Sequence, residues 1–156
     1  MAEPGIREGD LPLGFTLTRV FDAPRERVWR EWTEPERFAD WFGGAQVDVP
    51  LDTVAMDVRP GGTWRATMSM DAGRREIRWA GEYREVRPPE RLVLTITDRP
   101  DDDLRELVTV DLHDVGSGRT EMVVRQHGRM RPEEYERAKR GWGGFFDRMA
   151  DRLAGA

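Results

Sequence analysis

After Met130 the hydrophobic period of this chain changes. From Pro132 to about Leu153, the residues Tyr135, Ala138, Trp142, Phe145, Phe146, Met149 and Leu153 recur at steps of three and four. That spacing draws one apolar stripe along a long helix. Upstream the period is two, through segments near 46–49, 53–58, 63–70, 74–87, 91–98, 105–113 and 119–127. Alternation of this kind marks strands with one buried face. The breaks between them are turn sequences such as Arg59-Pro60-Gly61-Gly62, Asp71-Ala72-Gly73, Pro88-Pro89-Glu90 and Gly116-Ser117-Gly118. Connections this short join antiparallel neighbours, because a parallel crossover needs a dozen or more residues. The chain therefore reads as α+β: an antiparallel sheet of six or seven strands packed on one long C-terminal helix. Gly81, inside the long segment 74–87, predicts a bulge or bend there.

The beginning of the chain has its own punctuation. Residues 1–13 read as a loose tail broken by Pro4, Gly5 and Pro12, and residues 14–156 as a single domain. A first strand alternates from Phe15 to about Phe21. Pro24 suits the first position of a short helix, since its missing N–H would have no helical partner there. That helix carries Val28, Trp29 and Trp32 inward. Thr33-Glu34-Pro35-Glu36 then signals a second helix, with Thr33 as its cap and Glu36 spaced for a capping box. Phe38, Trp41 and Phe42 form its apolar face, and Gly43-Gly44 ends it.

The stretches from Phe21 to Trp29 and from Trp32 to Phe42, then Asp57 to Trp64, Gly81 to Leu92 and Gly141-Trp142, together resemble the Activator of Hsp90 ATPase homologue-like family of the START-like (SRPBCC) superfamily. The resemblance spans residues 15 to 154. It implies a helix-grip (START-like, Bet v 1-like) fold, with a cavity between the curved sheet and the final helix. Relatives of this type include lipid and small-molecule binders, polyketide cyclases and aromatases, and chaperone-activating domains. The eukaryotic activator carries a further N-terminal domain for which this chain has no room. In such a fold Trp41 and Phe42 from the second helix, Met56, Trp64, Met68, Ile77 and Trp79 from the sheet, and Phe145, Phe146 and Met149 from the last helix are the expected cavity lining. The indole N–H groups of Trp64 and Trp79 are the expected polar contacts to a ligand. Gly141, Gly143 and Gly144 interrupt the long helix at roughly 1 kcal/mol each. Either close approach of helix to sheet or room for a ligand would account for them.

Catalytic signatures are sparse. His113 sits near the turn of the last hairpin and His127 at its open end, roughly 20–26 Å apart at strand spacing. They cannot share a metal, and a chain with no Cys offers no thiolate ligand or nucleophile. Glu121 is placed to face His113. Asp101-Asp102-Asp103 lacks the glycine and distal glutamate of a calcium loop. No cofactor is implied. A net charge of −5, with arginines scattered among 30 acidic residues, argues against a nucleic-acid partner. No apolar run reaches the length of a membrane span, and the N-terminus lacks the apolar core of a secretory signal. The expectation is a cytoplasmic monomer or homodimer that binds a small apolar or amphipathic ligand without turnover. A chaperone-linked interaction module and a cyclase-like enzyme are the alternatives.

Overall fold

The structure is a computed structural model and describes residues 13–155. The predicted tail lies outside the described residues except for Leu13, which already belongs to a strand. In chain order the elements are β1 (Leu13–Phe21), α1 (Arg25–Thr33), α2 (Pro35–Trp41), β2 (Ala55–Met56), β3 (Thr63–Met70), β4 (Arg75–Arg87), β5 (Arg91–Ile96), β6 (Glu106–Gly116), β7 (Arg119–Gly128) and α3 (Pro132–Ala154).

All seven strands form one sheet in the order β1-β7-β6-β5-β4-β3-β2. Every pairing is antiparallel. The meander from β2 to β7 follows from its short turns, and β1 closes the far side against β7. The register makes one face continuous. Leu17 lies opposite Val124, Val124 opposite Val110, and Val110 opposite Leu92. This inner face carries the core, and each fully buried Val or Leu in it contributes about 1.5–3 kcal/mol.

The stripe on α3 buries Tyr135, Trp142, Phe146, Met149 and Leu153 as the period predicts. Pro132 occupies the first turn, and the Arg131 backbone N–H donates to Glu134 Oε1 at 3.2 Å. The helix packs chiefly against β1, and then against α2 and α1. It therefore covers one side of the inner face more fully than the other. Arg19 fixes that side, donating to the Gly143 carbonyl at 3.3 Å and pairing with Asp147.

Several local expectations are corrected. The segment near 46–49 is not a strand; Asp48 makes one isolated bridge to Ser69. The segment 53–58 shrinks to two residues, because Leu51–Thr53 winds into a 3-10 turn behind Pro50. Thr33 does not cap α2. It is the last residue of α1, and its hydroxyl donates to the Trp29 carbonyl at 2.9 Å, leaving Glu34 at the cap position. The bulge in β4 falls between Tyr83 and Glu85 rather than at Gly81.

Candidate functional site

Gly81 has a different task. A Cβ there would lie 1.8 Å from the Thr95 carbonyl oxygen and 2.4 Å from Trp64 Nε1. No side chain fits, because the Trp64 indole passes over this residue and its Nε1–H donates to the Thr95 carbonyl at 2.9 Å. The Trp64 N–H is thus committed to the sheet and is not the ligand donor that the sequence suggested.

The strands around Gly81 set out most of the expected lining. Trp64, Ala66 and Met68 on β3 lie opposite Gly81, Trp79 and Ile77 on β4. Met56 on β2 lies opposite Trp64. Phe42, just past α2, joins this wall to α3. Its ring centroid is 6.0 Å from Trp64, 6.1 Å from Trp79 and 5.5 Å from Phe145. The chain can turn away directly afterwards because Gly43 and Gly44 take left-handed conformations, φ 96° and 79°. Gly44 then sits beside Phe145 and Gly144.

Burial divides the ten expected lining residues. Trp41, Phe42, Trp64, Met68, Phe146 and Met149 are buried in the core. Phe146 packs against Trp32, Trp41 and Trp142. The Trp41 indole N–H donates to the Glu31 carbonyl at 2.8 Å. Met56, Ile77, Trp79 and Phe145 are half-buried, packed against the core at its margin. Close approach does not explain the α3 glycines: a Cβ at Gly141, Gly143 or Gly144 would meet nothing within 4 Å.

Two buried polar atoms on this face have no hydrogen-bond partner in the protein, Trp79 Nε1 and the Tyr83 hydroxyl. Tyr83 is 1% exposed. Burial, with Asp57 nearby as a lesser cause, pushes its phenol well above the ordinary tyrosine pKa. Tyr83 was missed in the sequence although it continues the alternation of Ile77, Trp79 and Gly81. Gln126 was also missed: its Oε1 accepts from Trp142 Nε1 at 2.9 Å, and its Nε2 donates to Glu106 at 3.3 Å. Glu106 and burial together raise the Tyr135 phenol, burial being the larger cause.

Two open grooves lie at the β3–β5 side. One of about 930 Å³ runs between Glu76, Ile77 and Arg78 and the loop from Asp98 to Asp103. Its lining is mostly charged; Ile77, two residues from Trp79 on the same strand face, and Pro100 are its apolar members. The other, of about 360 Å³, is bordered by Arg65, Arg84 and Arg105. No residue of α3 lines either groove. His113 lies opposite Glu121 and His127 opposite Leu107, as the hairpin register predicts. Among the described residues, no three His, Asp or Glu side chains converge to hold a metal ion. No helix among them is long and apolar enough to cross a membrane.

The model of the family described as Activator of Hsp90 ATPase homolog 1-like protein matches residues 22–154. No curated protein matches the sequence. Among solved structures, a Chromobacterium violaceum protein is similar over 90% of this chain and 96% of its own, at 25% identity and a TM-score of 0.77. A Nitrosomonas europaea protein is similar over 92% and 95%, at 24% identity and a TM-score of 0.77. The AHSA1 protein of Silicibacter pomeroyi is similar over 91% and 98%, at 20% identity and a TM-score of 0.79. The last two likenesses concern the fold alone.

Proposed function

From the premise that this chain belongs to the Activator of Hsp90 ATPase homolog 1-like family, we propose that it binds a small apolar molecule between the β3–β4 part of its sheet and α3. One observation carries this reading. The apolar wall of Ile77, Trp79 and Phe145 continues the core but stays half-buried, because α3 lies over β1 and leaves this side less covered. Protein interiors normally close over aromatic side chains of this size. A half-open wall of Trp, Phe and Ile beside an accessible groove has the composition of a ligand site, apolar with few polar groups. Ile77 also lines the open groove beside the 98–103 loop, and the ligand is proposed to enter from that side.

Ethylnaphthalene, an uncharged hydrocarbon, tests the reading. Bound at a hundred times its dissociation constant it adds about 2.7 kcal/mol to stability, seen as a rise in Tm. Of the six Trp indole N–H resonances, that of Trp79 should move. An unchanged Tm with an unmoved Trp79 resonance sinks the proposal. The reading that the family's description suggests, docking on an Hsp90-type chaperone, would then stand in its place.

A further inference from the structure

The polar atoms of this wall select a class of ligand, an inference that rests on the binding reading above. Trp79 Nε1 is a donor and nothing else. It is buried and has no partner in the protein, although its ring stands at the half-open margin. A buried donor left unmade is costly, so such groups are normally satisfied. The hydroxyl of Tyr83, a residue four positions further along the same strand face, is buried and unpartnered as well. Both orphan groups are uncharged donors. The groove beside Ile77 is net acidic, since its arginines, Arg78 and Arg99, stand among Glu76, Asp98 and the aspartates of 101–103, and so it repels an anion. Among the described residues the buried polar side chains are Glu31, Thr95, Thr97, Thr109, Thr120 and Gln126, with no Lys, Arg or His. Glu31, the one charge among them, is already paired with Arg152. A carboxylate drawn against Trp79 would lose its water and meet one neutral N–H, which leaves most of its desolvation uncompensated. A ketone, ester or quinone oxygen needs only one donor and brings no charge.

We infer that the ligand is an uncharged apolar molecule carrying a carbonyl-type oxygen, which accepts the hydrogen bond of Trp79 Nε1–H. Amphiphiles with an ionised head group, free fatty acids among them, are disfavoured at this position.

Three probes of one shape separate the cases: methyl naphthyl ketone, ethylnaphthalene and naphthoate, titrated by calorimetry into the wild-type chain and Trp79→Phe. The ketone should bind wild type about five- to tenfold more tightly than the hydrocarbon, the worth of one buried hydrogen bond, and naphthoate most weakly. Trp79→Phe, which keeps an aromatic plate but no donor, should erase the ketone's advantage and leave ethylnaphthalene affinity within about twofold. In wild type both probes should perturb the Trp79 indole proton, but only the ketone, by accepting its hydrogen bond, should carry it strongly downfield, a readout that survives if the variant fails to fold. Equal affinity for ketone and hydrocarbon, strongest binding of naphthoate, or a ketone preference retained by Trp79→Phe overturns the inference while leaving the binding reading intact. If none of the three binds, both fall.

Discussion

The carboxylate of Glu31, on α1, is buried and accepts two hydrogen bonds from the guanidinium of Arg152 in the last turn of α3, from Nε at 2.7 Å and Nη2 at 3.3 Å. The same guanidinium reaches Asp40 on α2, so one side chain ties three helices together. Its hydrogen bond to Glu31 is the chief reason the Arg152 pKa is raised. Removing one partner of a buried pair costs more than the pair contributes, because the remaining charge stays out of water. Arg152→Ala should therefore destabilise the domain by about 3 kcal/mol in a denaturant titration. This is the low end for buried pairs, since Arg152 is 23% exposed and Arg37 stands 3.7 Å from the carboxylate. Replacing both residues, Glu31→Leu with Arg152→Met, should cost less than Arg152→Ala alone. If the double replacement is the worse of the two, the buried carboxylate is not the source of the penalty.

Trp142 lies on the same helix and combines packing with a polar link. Its ring packs against Trp32, Phe42, Phe145 and Phe146. Trp142→Ala should cost roughly 3–5 kcal/mol, the range for a buried large aromatic. Trp142→Phe keeps much of the packing but leaves Gln126 Oε1 without its donor, at a cost of about 1–3 kcal/mol. A denaturant midpoint unchanged at unchanged slope in Trp142→Ala would show that the residue lies outside the cooperative core.

How far the sequence could be read depends on what each signal measures. Period alone fixes which face a side chain joins. It therefore gave β3 at Thr63–Met70 to the residue and placed the α3 stripe correctly. It fails where local chemistry competes, as where Pro50 starts a 3-10 turn inside an apparent strand. Period also says nothing about the distance between elements. Trp64 and Trp79 are equivalent in alternation, yet only Trp64 finds an acceptor, because Gly81 clears its path to Thr95. Glu31 was passed over because a charge on a helix usually faces water. Its place three residues after Val28, on the face of Val28 and Trp32, was the available signal.

The chain's two tyrosines make its alkaline behaviour simple to predict. Burial is the leading cause raising both Tyr83 and Tyr135 above the ordinary value. In the unfolded chain both ionise near pH 10. The folded state keeps its protons longer, so the unfolded state gains as pH rises past 10. Stability, full below that pH, should then fall by about 1.4 kcal/mol per pH unit for each tyrosine until the folded groups themselves ionise. Ultraviolet titration of the native protein should show no tyrosinate at the ordinary midpoint, with the full signal appearing on unfolding. One tyrosine titrating normally in the folded protein would mean that its hydroxyl reaches water.

Gly81 and Gly141 should respond in opposite directions to the same substitution. At Gly81 a methyl group would meet the Thr95 carbonyl and the Trp64 indole at impossible distances, 1.8 and 2.4 Å. The Thr95 oxygen is backbone and cannot move without parting β4 from β5. The Trp64 ring would have to leave, breaking its hydrogen bond. Gly81→Ala should thus cost at least the roughly 1–3 kcal/mol of an overpacked core and should alter Trp fluorescence. At Gly141 a methyl group would meet nothing within 4 Å, and the backbone is already helical. Gly141→Ala should stabilise the domain by about 0.4–1 kcal/mol by restricting the unfolded chain. Helix position places residue 141 one turn before Phe145 and on its side of α3. The gain in stability should therefore come with weaker binding of ethylnaphthalene if the ligand lies along that flank. Paired thermal melts, with and without the probe, measure both effects. A stabilised Gly141→Ala whose Tm responds to the probe as wild type does would place the ligand nearer the sheet than the helix.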